Sequence, residues 1–204
     1  MKINKKKLEW IRLPSNEKQN TIGEFLEGDR VSLVPLHKEH LDLYTKWRNR
    51  PKVRRLARSN LPTTKEDLEK FLEPKNIRIM DNFYFEIFHK KDEKPIGDAG
   101  FNKIEWIDKR GDIGLAIGEP EYWRQGYATE ATELLLRYAF NELNLNKITA
   151  TIYSPNIGSY ICAEKVGLKL EARLEKDAYI EGKYVDNLIY RIFKDEWIEK
   201  NKTN

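Results

Sequence analysis

The stretch EPEYWRQGYATEATELLLR, residues 119–137, joins two periodicities. Before it, RGDIGLAIG (110–118) is a strand by pattern and composition. After it, Ala131, Leu134, Leu135, Tyr138, Ala139 and Leu143 fall at i, i+3, i+4, i+7, i+8 and i+12, a wide apolar stripe suited to packing on a sheet. A helix therefore begins inside the quoted segment, and nothing in a helix start requires Gly126. With only 11 Gly in 204 residues, its presence calls for a reason.

The strand-to-helix context supplies one. The first N–H groups of a helix have no intrahelical partner and point at one spot, with the positive end of the helix dipole behind them. Such a spot binds phosphate oxygens. Gly126 and Ala128 leave the backbone free of bulky Cβ substituents, so a phosphate can approach it. The spacing is neither the triphosphate loop GxxxxGK[ST] nor the dinucleotide pattern GxGxxG, both of which are missing from the sequence.

Working outward, RVSLVPL (30–36), NFYFEIFHK (82–90), KPIGDAGFNKIEW (94–106), KITATIY (147–153), LKLEARLE (168–175) and YVDNLIYRI (184–192) read as strands. Gly97 and Gly100 suggest a bulge. HLDLYTKWRNR (40–50), stopped by Pro51, and PTTKEDLEKFLEP (62–74), capped by Thr63 or Thr64 and ended by Pro74, read as helices. NIGSYICAEKVG (156–167) is a further helix with Asn156 as N-cap and Gly167 as its stop. Strand, two helices, three strands, helix, strand, helix and two strands make a mixed α/β sheet, antiparallel at the front, with a parallel pair near the middle and flanking helices.

Composition restricts the functions. Basic and acidic side chains number 37 and 33, a balance unlike a nucleic-acid-binding face. No stretch approaches the roughly 20 apolar residues needed to span a bilayer. The lysine-rich start lacks the apolar core of a secretory signal, and the single Cys162 suits a reducing compartment, so a cytoplasmic protein is expected. The expected division is a basic extension over 1–27, one domain over 28–197 and a tail over 198–204.

The segment 123–128 resembles motif A of the GNAT acyltransferase superfamily, [Q/R]xxGx[G/A]. DIGLAIGEPEYW and the following ATEA are similar to the subgroup related to ribosomal-protein N-terminal acetyltransferases. NIGSYICAEKVGLKLEA resembles that subgroup's NxxSxxxxxKxGFxxEG. The resemblance covers residues 28–193 and implies an acetyl-CoA-dependent N-acetyltransferase with no metal. The acceptor would be a primary amine of a protein N-terminus or small molecule, attacking the thioester directly. Homodimers are common in the family.

Residue by residue, the resemblance implies pyrophosphate on the N–H groups of Arg124, Gln125, Gly126, Tyr127, Ala128 and Thr129, and pantetheine amides along Ala116, Ile117 and Gly118. Asn156 would bond the cofactor arm as well as cap its helix. Ser159 is either the proton donor to the leaving thiolate or a capping-turn serine; Tyr160 is a neighbouring hydroxyl. Asp112, at the subgroup's acidic position, and Glu105, expected across a hairpin from it, are candidate proton acceptors or hairpin-end charges; Asp186 and Asn187 are weaker candidates. Two departures stand out. Trp123 replaces the usual Gln or Arg, and Ala163 occupies the position of the family's tyrosine acid. The latter keeps open a non-catalytic acyl-CoA-binding module.

The remaining features read blandly. His37 and His40 lack a third ligand at metal spacing, and Cys162 fits a core position. The basic run WRNRPKVRRLARSN (47–60) either shapes the acceptor site or is a solvated face, and it argues against a polycationic acceptor such as spermidine.

Overall fold

The computed structural model describes residues 23–57, 61–73 and 80–202. Residues 1–22 of the extension, 58–60 of the basic run, the expected stop at Pro74 and the last two residues lie outside the described residues.

One eight-stranded sheet organises the chain: β1 (Leu26–Glu27), β2 (Val31–Pro35), β3 (Phe83–His89), β4 (Lys94–Glu105), β5 (Arg110–Ile117), β6 (Lys147–Tyr153), β7 (Lys169–Ile180) and β8 (Lys183–Phe193). Their spatial order is β1-β2-β3-β4-β5-β6-β8-β7. Only β5 and β6 run parallel. The connection between them contains the helix α4 (Tyr127–Asn141), as a parallel crossover requires.

The periodicity of α4 places it. Ala131, Leu134, Leu135 and Ala139 are buried against Leu33, Phe85, Phe101 and Ile113 on one face of the sheet. Leu136 and Phe140, outside that stripe, are buried too. Phe140 is covered by α6 (Lys194–Lys202), which brings Trp197 to 5.5 Å from its ring. The helix α5 (Ile157–Lys165) lies beside α4, with Cys162 buried near Thr132. The opposite sheet face carries α1 (Leu41–Asn49), α2 (Pro51–Arg54) and α3 (Lys65–Leu72), whose own small core is Leu41, Tyr44 and Trp47. Thr64 caps α3 through a reciprocal bond with Asp67.

Several expected boundaries move. Pro51 ends α1 but also opens α2, because a missing N–H costs nothing in a first helical turn. The loop expected at 181–183 is a tight turn in which Glu181 and Gly182 both have positive φ, so β7 and β8 run on as a long hairpin. β1 lies in the last two residues of the expected extension, and α6 runs into the expected tail as far as Lys202. The bulges in β4 centre on Ile96 and Asn102, flanking the two glycines rather than on them.

Candidate active site

The parallel pairing of β5 with β6 lasts for three residues, Arg110–Lys147, Gly111–Ile148 and Asp112–Thr149. Beyond Asp112, β5 continues along β4 and β6 along β8, so a wedge opens between them. The Gly118 N–H donates to Ile96 O at 2.9 Å. Antiparallel strands alternate their bonding sides, so the peptides of Ala116 and Gly114 also turn to β4. Those of Leu115 and Ile117 face the wedge. Of the three backbone positions expected to meet the cofactor arm, only Ile117 therefore points there, and its carbonyl accepts the Trp123 indole N–H at 2.8 Å. The Gly118 carbonyl accepts Arg50 Nη1 at 2.7 Å. Leu115 was not expected on that side, because a sequence fixes the period of two but not which parity faces the open side.

The mouth of the wedge leads to the start of α4. Gly126 is its N-cap with φ of 87°, a left-handed conformation that favours glycine, and no side chain caps this end. The first intrahelical bond runs from Glu130 N to Gly126 O at 3.1 Å. The N–H groups of Tyr127, Ala128 and Thr129 precede it and lack intrahelical acceptors. Arg30 braces the loop from the side. Its Nη1 donates to Gln125 O at 2.9 Å, its Nε pairs with Glu130 at 2.9 Å, and its guanidinium lies 4.8 Å from the Tyr127 ring centre. Burial pushes the Glu130 carboxyl up, but bonds from the Arg30 and Val31 N–H groups and the Arg30 side chain outweigh it and hold the group below its ordinary value. Arg124 is exposed beside the loop, Gln125 Nε2 donates to Glu121 O at 2.6 Å, and Tyr127 Oη meets His89 Nε2 at 2.9 Å. Trp123 does more than fill the usual Gln or Arg position: its indole ties the loop to the strand end.

Across the wedge stands α5. Asn156 caps it, accepting the Ser159 N–H at 3.3 Å, and its Nδ2 donates to Leu56 O at 3.3 Å. Ser159 is half-buried, and its Oγ makes no hydrogen bond among the described residues. Tyr160 packs against the main core, and Ala163 is buried.

Asp112 sits where the wedge begins, accepting Asn102 Nδ2 at 2.6 Å and Thr149 Oγ1 at 3.2 Å. Glu105 is not across from it. The bulge at Asn102 shifts the register so that Lys103 opposes Asp112 and Glu105 opposes Arg110. Glu105 pairs with Lys103 and, at 3.9 Å, with Arg110; the Lys103 bond holds its carboxyl below the usual range. Asp186 is likewise occupied, by the Lys176 N–H at 2.9 Å and Arg173 Nε at 2.6 Å, and buried Asn187 donates to Asp177 at 2.6 Å. His40 Nδ1 lies 2.6 Å from buried Glu86, and no metal-binding cluster occurs among the described residues.

Part of the basic run, with Lys46 just before it, holds this face together. Arg50 and Lys46 reach Glu119 at 3.0 and 3.3 Å, Trp47 Nε1 reaches it at 2.8 Å, and Arg55 pairs with Glu181 at 3.2 Å. Burial raises the Glu119 carboxyl, and these donors more than reverse the effect. Glu119 carried no sequence signal because its partners lie about 70 residues away.

Residues 30–169 match the acetyltransferase (GNAT) domain model. The chain belongs to the GNAT acetyltransferase family. Among its relatives, the uncharacterized N-acetyltransferase p20 of Bacillus licheniformis is 31% identical over 113 residues, 55% of this chain and 63% of its own length. The spermidine N(1)-acetyltransferase of Escherichia coli K12 is 26% identical over 176 residues, 85% of this chain and 91% of its own. The matches to the three first curated relatives span 63, 50 and 55% of their lengths. A crystal structure of spermidine N-acetyltransferase from Vibrio cholerae in complex with CoA and spermine has the same fold. The TM-score is 0.76 at 22% identity, over 84% of this chain and 99% of that one.

Proposed function

We propose that this GNAT-family chain transfers acetyl from acetyl-CoA to a primary amine of a protein N-terminus or small molecule, by direct attack on the thioester. The observation that carries this reading is the wedge continuing into an uncapped helix start: backbone groups of Leu115 and Ile117 beside it, then the N–H groups of Tyr127 to Thr129 at its mouth. Unpaired strand edges accept extended amide-bearing chains by added pairing, and helix starts accept phosphate. The pantetheine arm and pyrophosphate of the coenzyme have these two chemistries in sequence. Asp112 and Thr149 close the inner end, and Ser159 faces the problem of a leaving thiolate with an uncommitted hydroxyl. Relatives named as spermidine acetyltransferases support an amine acceptor.

Calorimetry with acetyl-CoA tests the cradle. Gly126→Glu places a Cβ 3.1 Å from Arg30 Nη2 at a strained φ and a carboxylate where phosphate belongs. Ala128→Glu adds the same charge without the strain. Both are expected to weaken binding at least about tenfold, or 1.4 kcal/mol. Wild-type affinity in Ala128→Glu, or no binding by the wild type, would remove the reading. Buried Ala163 favours a second one, a binding module without turnover. Thiol release from acetyl-CoA that depends on an added amine would eliminate it.

A further inference from the structure

His89, the last residue of β3, is buried, and acetyl transfer as read above assigns it no task. It stands at the end of the β3–β4 hairpin, paired with Val31 on β2 and Lys94 on β4. Both ring nitrogens are engaged. Nε2 lies 2.9 Å from Tyr127 Oη, and Nδ1 accepts the Asp92 N–H at 3.1 Å. A lone pair used on Nδ1 places the ring proton on Nε2, so His89 donates to the tyrosine oxygen. The Asp92 carboxylate, 3.2 Å from Nδ1, accepts the Tyr122 hydroxyl at 2.5 Å, and that bond holds it below its ordinary value. The imidazole is thus fixed from the hairpin turn, and its second nitrogen is directed at α4.

Tyr127 is the first residue of α4, and its N–H is one of the three donors at that helix start without an intrahelical acceptor. A helix end that lacks a capping side chain has nothing of its own to fix the direction of those donors. The fully buried stripe begins at Ala131, one turn later. The first turn is held through two other side chains. Glu130 accepts from the Arg30 N–H and guanidinium. Tyr127 lies between Arg30, 4.8 Å from its ring centre, and His89, whose ring meets it edge-on at 4.8 Å and 90°. Tyr122, just before the Gly126 loop, packs on the same histidine with ring centres 5.1 Å apart. His89 therefore touches the chain on both sides of the turn from β5 into α4.

We propose that His89 is a positioning residue for the coenzyme: through Tyr127 Oη it fixes the angle at which the first N–H groups of α4 meet the pyrophosphate. This rests on the cofactor reading above and adds to it a buried residue that acts on the coenzyme only through another. Hydrogen bonds weaken steeply as the donor angle departs from linear. Three donors on one backbone turn share one orientation, so a small rotation of Tyr127 weakens all of them together. The consequence is confined to phosphate. The pantetheine arm, read along β5, does not depend on this bond.

Calorimetry with acetyl-CoA on the full chain tests the assignment. His89→Asn keeps an acceptor near the Nδ1 position but is too short to reach Tyr127. Tyr127→Phe keeps the ring and deletes Oη. Each is expected to weaken acetyl-CoA binding about fivefold, the worth of one ordinary hydrogen bond. The double variant is expected to lose no more than either single one, since both remove the same bond. His89→Gln, whose amide reaches the Nε2 position, is expected to bind within about twofold of the wild type. Pantetheine, which has the arm without the phosphates, is titrated with NMR shifts as the readout, and its affinity is expected to be the same in every variant. A merely structural histidine would lower unfolding free energy without separating Gln from Asn or one ligand from the other. Equal acetyl-CoA affinity in wild type and His89→Asn, equal losses in His89→Gln and His89→Asn, or a parallel loss of pantetheine overturns the proposal and leaves the cofactor reading standing. Tyr127→Phe retains its half-buried packing, so wild-type affinity in that variant overturns the proposal even where His89→Asn does not fold. No acetyl-CoA binding by the wild type removes the cofactor reading and the proposal with it.

Discussion

Ser159 presents two groups whose roles only chemistry can separate. Its N–H completes the cap on α5, whereas its Oγ is uncommitted. The cap uses the backbone, so Ser159→Ala leaves it in place and deletes only the hydroxyl. We expect kcat to fall at least tenfold with acetyl-CoA affinity unchanged; an unaltered kcat would leave the serine with its backbone role alone. Asn156 and Gly126 were legible in the sequence because caps and left-handed turns are local events. The surroundings of Leu115 and Asp98 were not. Which parity of β5 faces the wedge, and which acid escapes a hydrogen-bond partner, depend on strands and helices far away in the chain. The partners of Glu105 and Asp112, Arg110 and Lys103, depend likewise on the register shift at Asn102, since one inserted residue changes every partner beyond it.

Among the elements, α1 and the end of β5 meet closely. A Cβ on Gly118 would lie 2.2 Å from the Trp47 ring, whose indole N–H is fixed on Glu119. Gly118→Ala must therefore push α1 outward. Overpacking of this kind costs about 1–3 kcal/mol, readable by urea denaturation. Lost turnover should accompany it, because Arg50 caps the Gly118 carbonyl from the same helical face. A variant as stable as the wild type would show that the contact yields freely. The α6 helix was invisible in the sequence because KDEWIEKNK has no apolar stripe; Trp197 against Phe140 and the charge cluster at Glu196 hold it instead.

For the molecule as a whole, three carboxylates join distant segments: Glu130 links α4 to β2, Glu119 links the end of β5 to α1, and Glu196 links α6 to β7 and β8. Bonds from Lys169, the Phe193 N–H and Arg191 hold Glu196 down to about 2. All three have folded-state values below those of an unfolded glutamate. Their contribution is thus present above about pH 4.5 and is lost as pH falls, since the unfolded chain then binds more protons. Denaturant titrations should show unfolding free energy declining from pH 4.5 towards 2, with a shallower decline in Glu196→Gln. An identical slope in that variant would contradict the assignment.

Fold class, the order of most elements, the α4 stripe and the helix start at Gly126 followed from the sequence alone, because periodicity, caps and the Gly126 spacing are written in consecutive residues. The tertiary structure decided the rest: where β5 and β6 part, which peptides face that gap, and which carboxylate is left without donors beneath α1 and α3. Those outcomes depend on contacts between residues tens of positions apart, and local sequence holds no record of the register or burial that creates them.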